Sequence, residues 1–542
     1  MKFLHLFVLL FCCQFAAYAQ KYIYTHDDTL RGSITKERAW WDLQFYHLNV
    51  KVNPADSTIA GSVTVRYKVL QPNQTLQIDL QRPLTISKIT QDGQEVTFRR
   101  DGDAFFVNLV KKQVSQAQES IIVYYGGRPR SAKRAPWDGG FSWKRDKNGQ
   151  PFVATSCQGL GSSVWWPCKD HMYDEPDSAN ISITVPKPLM DVSNGRLKSI
   201  TENADNTRTF NWYVQNPVNN YGININIGNY ETWAETFEGE KGKLDLSYYV
   251  LAENIDKAKT QFQQVKSMMK AFEHWFGPYP FYEDGYKLVE VPYLGMEHQS
   301  SVTYGNGYQN GYLGRDLSAT GWGLKWDFII VHESGHEWFA NNITYKDMAD
   351  MWIHESFTNY SECLYTEYYY GKEAGAAYVI GCRKLIRNDK PIIGVYDVNR
   401  SGSGDMYYKG GNMLHTIRLI VNDDEKWRGI LRGLNQTFYH QTVTTKQIED
   451  YMSQQAGINL SKVFDQYLRD ARLPMLEYSV EGKKLRYRWT NTIAGFDMPF
   501  KFKIGGDDWK VVYPTTDWKE VKVKKGATVE LDSNFYVETK KL

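Results

Sequence analysis

The sequence predicts a multidomain α+β protein with an N-terminal all-β domain, a mostly helical central domain and a small C-terminal β-sandwich. Apolar and polar side chains alternate in short runs between residues 40 and 240, as in Leu43–Val52, which is the pattern of half-buried strands. From about residue 250 the apolar residues recur at helical spacing, and after Pro474 short alternating runs return. At 542 residues the chain is long enough for about three to four domains.

These changes of spacing predict where each domain begins and ends. We expect a signal peptide at residues 1–20, an N-terminal β domain at 21–245, a helical domain at 246–473 and a C-terminal β domain at 474–542. Within the helical domain, an amphipathic helix is predicted from Asn254 to Trp275, before the helix-breaking pair Gly277-Pro278.

The first 20 residues have the features of a signal peptide. Lys2 precedes the apolar run Phe3–Phe15, and Ala17-Tyr18-Ala19 offers a small-residue cleavage site. The apolar run is too short to span a bilayer. We therefore expect an exported protein, periplasmic or secreted, with no membrane insertion.

Charge and cysteine content narrow the partners and the covalent bonds. The formal net charge is only +2 and no basic stripe is present, which argues against a nucleic-acid partner. Four cysteines lie beyond the signal peptide: Cys157, Cys168, Cys363 and Cys382. They are too few for a disulfide framework; one or two disulfides, such as Cys157–Cys168, are an open alternative that the sequence does not decide. The sequence does not indicate an oligomeric state.

His332-Glu333-Ser334-Gly335-His336 is the most informative segment of the chain. On an α-helix, residues four apart lie on the same face, so His332 and His336 can present two imidazoles to one tetrahedral metal ion. Glu333 lies one position further round, where a carboxylate can act as a general base. The alternative is a solvated helix with incidental histidines, but apolar runs on both sides of the motif indicate a helix buried in a core.

A third ligand is needed, because catalytic zinc usually has three protein ligands and one open position. Eighteen residues separate His336 from Glu355, which we predict to be the third ligand of a single Zn²⁺. The metzincin class requires glycine and histidine where this chain has Phe339 and Asn342, so the third ligand must come from a separate helix. Glu362 follows two helical turns later and is the candidate partner for the outer N–H of a zinc-binding imidazole; the alternative is a solvated glutamate.

Several blocks in the correct order resemble the gluzincin zinc aminopeptidases of the aminopeptidase N and leukotriene hydrolase type. Leu294-Gly295-Met296-Glu297-His298 is similar to their G-x-M-E-N exopeptidase motif, and the zinc motif follows it. The other similar blocks are Phe276–Phe281, Val289–Tyr293, Trp352–Thr358, Tyr407–Gly410, Phe464–Leu468 and Leu473-Pro474. The resemblance covers most of the chain after the signal peptide. It implies a saddle-like N-terminal β domain and a thermolysin-like catalytic domain.

The resemblance also implies which residues bind the substrate. Glu297 would contact the free α-ammonium group of a peptide, so that only chain ends are cleaved. Gln158 matches the position of a second amine contact, and Gly295 and Met296 would line the substrate site. The partners implied are therefore peptides with a free N-terminus.

The catalytic tyrosine of the family falls on Tyr407, three residues before Gly410. Its hydroxyl would donate a hydrogen bond to the oxyanion as the scissile carbonyl becomes tetrahedral. Tyr408 is the alternative, but adjacent side chains diverge on any regular element, so only one of the two can serve this role.

Three departures from the family pattern concern the site. His298 replaces the asparagine of the exopeptidase motif, and we interpret it as a residue of the pocket wall rather than a metal ligand. His354 and Ser356 replace the asparagine and glycine that flank the third ligand. We also expect the large C-terminal helical domain of many relatives to be lacking, which would leave a more open active site.

The function predicted is that of a secreted zinc metallo-aminopeptidase, which removes N-terminal residues from peptides by zinc-activated water attack. Glu333 would take the proton and later pass it to the leaving amine. One alternative is another zinc hydrolase on the same scaffold, such as an epoxide hydrolase with a deep apolar channel. The other is a non-catalytic peptide-binding scaffold.

Overall fold

The computed structural model describes residues 23–506 and 508–542, so the predicted signal peptide lies outside the described residues. Its first part is built mainly from sheets of eight, four and three strands. Two short helices precede the strands, α1 (His26–Gly32) and α2 (Lys36–Ala39). The strands are β1 (Trp41–Asn53), β2 (Thr58–Val69), β3 (Thr75–Asp79), β4 (Thr85–Gln91), β5 (Gln94–Glu95), β6 (Thr97–Asp101), β7 (Ala104–Asn108), β8 (Gln118–Gly127), β9 (Gly140–Arg145), β10 (Pro151–Ser156), β11 (Ser178–Pro186), β12 (Met190–Val192), β13 (Arg196–Glu202), β14 (Thr207–Val214) and β15 (Asn226–Gly228).

Strand β1 lies in the middle of the eight-stranded sheet, whose order is β13-β14-β11-β1-β2-β8-β4-β5. It pairs with β2 in antiparallel and with β11 in parallel orientation. Its alternating apolar residues Leu48, Val50 and Val52 are completely buried, so the period-two pattern of the sequence corresponds to one covered face.

The antiparallel hairpin of β9 and β10 brings two segments of the β-rich part to the candidate site. It lies at the edge of the four-stranded sheet, and Gly140 pairs with Ser156 at its open end. The segments that enter and leave this end carry Trp137 and Gln158, which both reach the candidate site described below.

A five-stranded sheet follows and connects the β-rich part to the helices. Its order is β16-β17-β18-β20-β19, and β18 runs parallel to both of its neighbours. Its strands are β16 (Tyr230–Gly239), β17 (Gly242–Leu251), β18 (Tyr286–Glu290), β19 (Gly295–Met296) and β20 (Val302–Tyr304).

The catalytic candidates lie in the helical part, where one continuous apolar core joins most of the helices. A parallel pair of short strands, β21 (Ile343–Tyr345) and β22 (Gln441–Val443), lies among them. The helices are α3 (Ile255–Gln261), α4 (Gln264–Phe276), α5 (Phe328–Gly335), α6 (Trp352–Tyr370), α7 (Lys372–Gly381), α8 (Tyr408–Val421), α9 (Asp424–Thr437), α10 (Thr445–Ala456) and α11 (Ser461–Leu468).

The single helix predicted from Asn254 to Trp275 is wrong, because the structure divides it into α3 and α4. The break falls at Phe262, whose ring is buried and lies 5.0 Å from that of Tyr304 and 6.0 Å from that of Trp233. Phe262 and Gln263 keep right-handed helical backbone angles, and the Val265 N–H donates to the Phe262 carbonyl three residues earlier, so the interruption is a local change of hydrogen bonding.

The C-terminal part contains two facing sheets, of order β27-β24-β23-β29 and β26-β25-β28. Arg383 joins this part to the helices by donating hydrogen bonds to the carbonyl groups of Ser533 and Asn534, at 2.8 and 2.6 Å. The strands are β23 (Met475–Glu481), β24 (Lys484–Thr490), β25 (Phe500–Ile504), β26 (Trp509–Val512), β27 (Lys519–Lys522), β28 (Val529–Leu531) and β29 (Glu538–Lys541). The predicted fold class is therefore confirmed.

The cysteines at 157, 168, 363 and 382 are buried free thiols, so no disulfide joins them.

Among residues 23–506 and 508–542, no helix combines the length and apolarity needed to cross a membrane.

Candidate active site

Helix α5 holds the first half of the zinc motif in the core. Asp327 caps its N-terminus, because the carboxylate accepts hydrogen bonds from the backbone N–H groups of Ile329 and Ile330 at 3.0 and 3.3 Å. Every residue of the helix is buried. His336 follows its last residue, and the chain then kinks at Phe339 and Ala340, whose backbone angles are not helical. The motif thus extends across the end of the helix.

Helix α6 brings Glu355 to the two histidines. The Nε2 atoms of His332 and His336 lie 3.9 and 3.5 Å from Oε2 of Glu355, and one donor atom of each residue lies within 4.8 Å of the other two. Two ligand atoms of one tetrahedral zinc ion are about 3.3 Å apart. All three side chains are buried, so the separations and the setting suit a single ion.

Each imidazole has a partner for its outer nitrogen. Nδ1 of His332 lies 2.7 Å from Oε1 of Glu362, and Nδ1 of His336 lies 3.0 Å from the carbonyl oxygen of Phe339. Glu362 is held in turn by the hydroxyl of Tyr378, which donates to its other oxygen at 2.7 Å. An imidazole that donates its Nδ1 hydrogen keeps the lone pair of Nε2 for a metal.

The hydrogen bonding of the Glu355 carboxylate shows whether a cation fits beside it. Its Oε1 accepts a hydrogen bond from the Gln158 amide at 2.7 Å, but its buried Oε2 has no hydrogen-bond partner among the described residues. Leaving a buried acceptor unsatisfied costs about 1–3 kcal/mol, and more for a charged group. A cation beside Oε2 removes that cost. Two imidazoles and one carboxylate are also a donor set that zinc accepts at catalytic sites, so the residues fit Zn²⁺.

Two more carboxylates face the same space. Donor atoms of Glu297, Glu333 and His336 lie within 4.8 Å of one another. Burial raises the pKa of both Glu297 and Glu333, and the positive charge of a bound dication would oppose that shift. Both carboxylates line a cavity of about 430 Å³ that also reaches the three candidate ligands.

Residues from the β-rich part hold Glu297 in place. Its Oε1 accepts hydrogen bonds from the Gln158 amide at 2.7 Å and from the Tyr221 hydroxyl at 3.0 Å. Gln158 thus bridges Glu297 and Glu355, which places the predicted amine contact directly beside the candidate metal ligands.

Gly295 and Met296 also line the cavity, as strand β19. The glycine is needed for the close approach of this strand to α5, because a β-carbon at 295 would lie 2.7 Å from Ile329 Cγ2 and 3.1 Å from Glu333 Cγ. The strand therefore presents Glu297 from one side of the cavity while α5 presents Glu333 from another.

Tyr407 and Tyr408 both line the cavity, but their neighbours differ. The ring of Tyr407 stacks on that of His332, with 6.2 Å between centroids. Burial, with the carboxylates of Glu355, Glu297 and Glu333, raises the pKa of Tyr407, so its hydroxyl keeps its proton at neutral pH. For Tyr408 the raised pKa comes from burial and from Glu362, which lies behind the imidazole of His332.

The three departures from the family pattern have structural explanations. His298 is completely buried and does not line the cavity, so its interpretation as a pocket-wall residue is wrong; the chain turns there, and the His298 carbonyl accepts from the Ser301 N–H. His354 accepts a hydrogen bond from the Tyr345 N–H at 3.0 Å and is a core residue. Ser356 donates to the Met406 carbonyl at 2.7 Å and so ties α6 to the segment before Tyr407.

Sequence reasoning missed several residues that surround the site. Tyr221 holds Glu297, Tyr378 holds Glu362, and the Oγ1 of Thr358 lies 3.1 Å from Nδ1 of His336. Thr358 is three residues after Glu355, so helical spacing could have indicated it. Tyr221 and Tyr378 carry no local signal, because only the tertiary fold brings them to their partners.

The fold and the buried donor set define a zinc metallopeptidase, and comparisons specify the family. The Peptidase M1 N-terminal domain matches residues 43–221, and the Peptidase family M1 domain matches residues 260–467. The chain belongs to peptidase family M1.

Curated relatives of this chain are distant. Leukotriene A-4 hydrolase of Xenopus laevis is 23% identical over 438 residues, which are 76% of this chain and 68% of that protein. Probable aminopeptidase 1 of Sulfurisphaera tokodaii is 20% identical over 455 residues, 78% of this chain. The chain spans only about half the length of the archaeal aminopeptidases that it matches.

Solved structures share the fold. The M1 zinc metallopeptidase of Deinococcus radiodurans has a TM-score of 0.66 at 21% identity, and the match covers 80% of this chain and 94% of that one. A mutant of a Deinococcus radiodurans M1 zinc metallopeptidase, bound to the substrate Tyr-Ser-Ala, matches with the same TM-score and identity over 80% and 95% of the two chains.

Replacing Glu362 with alanine tests the support of the candidate zinc site. The variant removes the acceptor for Nδ1 of His332, so we expect zinc affinity to fall by about 10–100-fold, measured by competition with a chelator. The exposed Glu373 on α7 is the matched control, and Glu373→Ala should bind zinc as the wild type does. Equal affinity in Glu362→Ala and Glu373→Ala would contradict the role of Glu362.

Proposed function

We propose that the protein is an exported zinc aminopeptidase that removes N-terminal residues from peptides. The observation that carries the proposal is the position of Glu297, a buried carboxylate within 4.8 Å of both Glu333 and His336. A carboxylate so close to the candidate metal ligands can pair with a positively charged group next to the bond that is cleaved. In a peptide cleaved after its first residue, the free α-ammonium group lies next to that bond. Export rests on the pattern of residues 1–20 and stays a prediction.

His332, His336 and Glu355 are the ligands in this proposal. Their Nε2 atoms and the unpartnered Oε2 of Glu355 converge on one point, and hydrogen bonds to Glu362 and Phe339 keep the two imidazoles in the tautomer that binds metal. Bound zinc supplies Lewis acidity at the scissile carbonyl and acidifies water.

Glu333 is the general base. Its carboxylate lines the cavity between the candidate ligands and Glu297, where it takes a proton from the attacking water and delivers it to the nitrogen of the leaving peptide. Burial raises the pKa of Glu333 and the charge of a bound metal ion would oppose that shift, so the role of general base rests on the position of the carboxylate beside the candidate ligands.

Tyr407 stabilises the oxyanion that forms when the carbonyl becomes tetrahedral. Its protonated hydroxyl lies among the carboxylates of the site, and its ring packs on His332. Glu297 and Gln158 position the substrate by its amine, and the Tyr221 hydroxyl keeps the Glu297 carboxylate in place.

Glu333→Gln tests the mechanism. The variant removes the proton acceptor and keeps the shape of the side chain, so we expect normal zinc content and a kcat about 10²–10⁴-fold lower on aminoacyl fluorogenic substrates. His336→Ala is the contrasting variant and should lose the metal itself, as measured by elemental analysis. Near-normal turnover in Glu333→Gln would refute the mechanism, and full zinc content in His336→Ala would refute the ligand set.

Substrates with a blocked N-terminus test exopeptidase action. Removing one partner of a buried charge pair costs about 2–5 kcal/mol, so Glu297→Ala should lower kcat/KM for aminoacyl substrates by a corresponding factor, mainly through KM. The wild-type enzyme should leave N-acetylated peptides intact. Rapid cleavage of an N-acetylated peptide would identify an endopeptidase instead.

Phenylalanine substitutions at 407 and 408 test the oxyanion role. Tyr407→Phe deletes the hydroxyl and keeps the ring, so kcat should fall by about 10²–10³-fold while zinc content is unchanged. Tyr408→Phe is the matched control and should change kcat far less, because its neighbours are Glu362 and Cys382. The reverse ranking would move the role to Tyr408.

A further inference from the structure

Trp137 lies at the candidate active site without a role in the fold. It lines the cavity that holds the candidate ligands, yet it is 66% exposed and belongs to none of the apolar cores of the described residues. An exposed tryptophan at the wall of a pocket has a large apolar surface to offer a ligand.

The loop that carries Trp137 is held in a defined conformation. The carboxylate of Asp138 accepts hydrogen bonds from the N–H groups of Lys133 and Arg134 at 2.7 and 2.8 Å. The Trp137 N–H donates to the Arg134 carbonyl at 3.0 Å. These hydrogen bonds preorganise the backbone of the loop, so little backbone entropy is lost when a ligand binds against it.

The β9–β10 hairpin places Trp137 beside the amine contact. Gly140 and Ser156 pair at the open end of the hairpin. Trp137 lies three residues before Gly140, and Gln158 lies two residues after Ser156. The two segments touch, because a β-carbon at Gly139 would lie 3.3 Å from the Ser156 carbonyl oxygen. Gln158 is hydrogen-bonded to Glu297, and Trp137 lines the same cavity as both, so Trp137 faces the cavity that contains the site proposed for the α-ammonium group.

The part of a peptide next to its α-ammonium group is the side chain of its first residue. We propose that Trp137 forms the wall that recognises this side chain and selects bulky apolar or aromatic N-terminal residues. Pro136, Leu294 and Met296 line the same cavity and add apolar surface. The ionisable side chains that line it, apart from tyrosines, are Glu297, Glu333 and the three candidate ligands, which are already engaged. Among the described residues, the lining therefore offers no further charge to pair with a charged first residue. The inference rests on the proposed aminopeptidase function.

Hydrolysis of Phe-, Leu-, Ala- and Arg-aminoacyl fluorogenic substrates by the zinc-loaded full chain tests this proposal. The wild type should have the highest kcat/KM for Phe and Leu. Trp137→Ala should lower kcat/KM for Phe and Leu by about tenfold, because their side chains lose the apolar contact with the indole ring. The kcat/KM for Ala should be nearly unchanged, because a methyl group buries little surface against that ring. Trp137→Phe should restore most of the loss.

Controls separate selectivity from general damage. Trp509 in the C-terminal part is another exposed tryptophan, and Trp509→Ala should leave all four substrates unchanged. An unchanged Phe-to-Ala ratio in Trp137→Ala, or an equal loss on Phe and Ala, would overturn the role of Trp137 while the aminopeptidase proposal stands. Failure of the wild type to cleave any of the four substrates would refute the aminopeptidase proposal, and the inference with it.

Discussion

Burial of five ionisable side chains in one pocket is the constraint on which the rest of the structure depends. Three carboxylates, Glu297, Glu333 and Glu355, lie around the imidazoles of His332 and His336, and all five residues are buried. In a medium of low dielectric, like charges repel strongly and unpaired charges are costly. Such a set is stable only where each polar atom has a hydrogen bond or a cation as its partner.

The surrounding protein provides those partners from distant parts of the chain. Gln158 donates from the end of β10, the Tyr221 hydroxyl from a turn of the β-rich part, and Tyr378 from α7 through Glu362. Oε2 of Glu355 is fully buried and has no hydrogen-bond partner among the described residues, and a metal ion would satisfy it. The β-rich part is therefore a component of the site as well as a neighbouring unit.

The sequence predicts those parts of the fold and site that depend on short spacing. Alternation indicates the strands of the first and last parts, and the four-residue spacing of His332 and His336 indicates a shared ligand. Gln158 is 139 residues from Glu297 and 197 from Glu355, so no local pattern could pair them; only the resemblance to a family pointed to it. The position of His298 has no local signal either, because tertiary packing decides whether a ring lies on the cavity wall or in the core.

The hairpin of β9 and β10 has a consequence for how this architecture can diversify. The residues that reach the candidate site from the flanks of this hairpin, Trp137 and Gln158, belong to a different part of the chain from the candidate ligands at α5 and α6. Gln158 is tied to Glu355 by a hydrogen bond, so the flank that can vary in side-chain volume without moving the ligand helices is the one that carries the exposed Trp137. Under the aminopeptidase proposal, substitutions in this loop would change which N-terminal residues the enzyme accepts, while the residues that carry out hydrolysis stay the same.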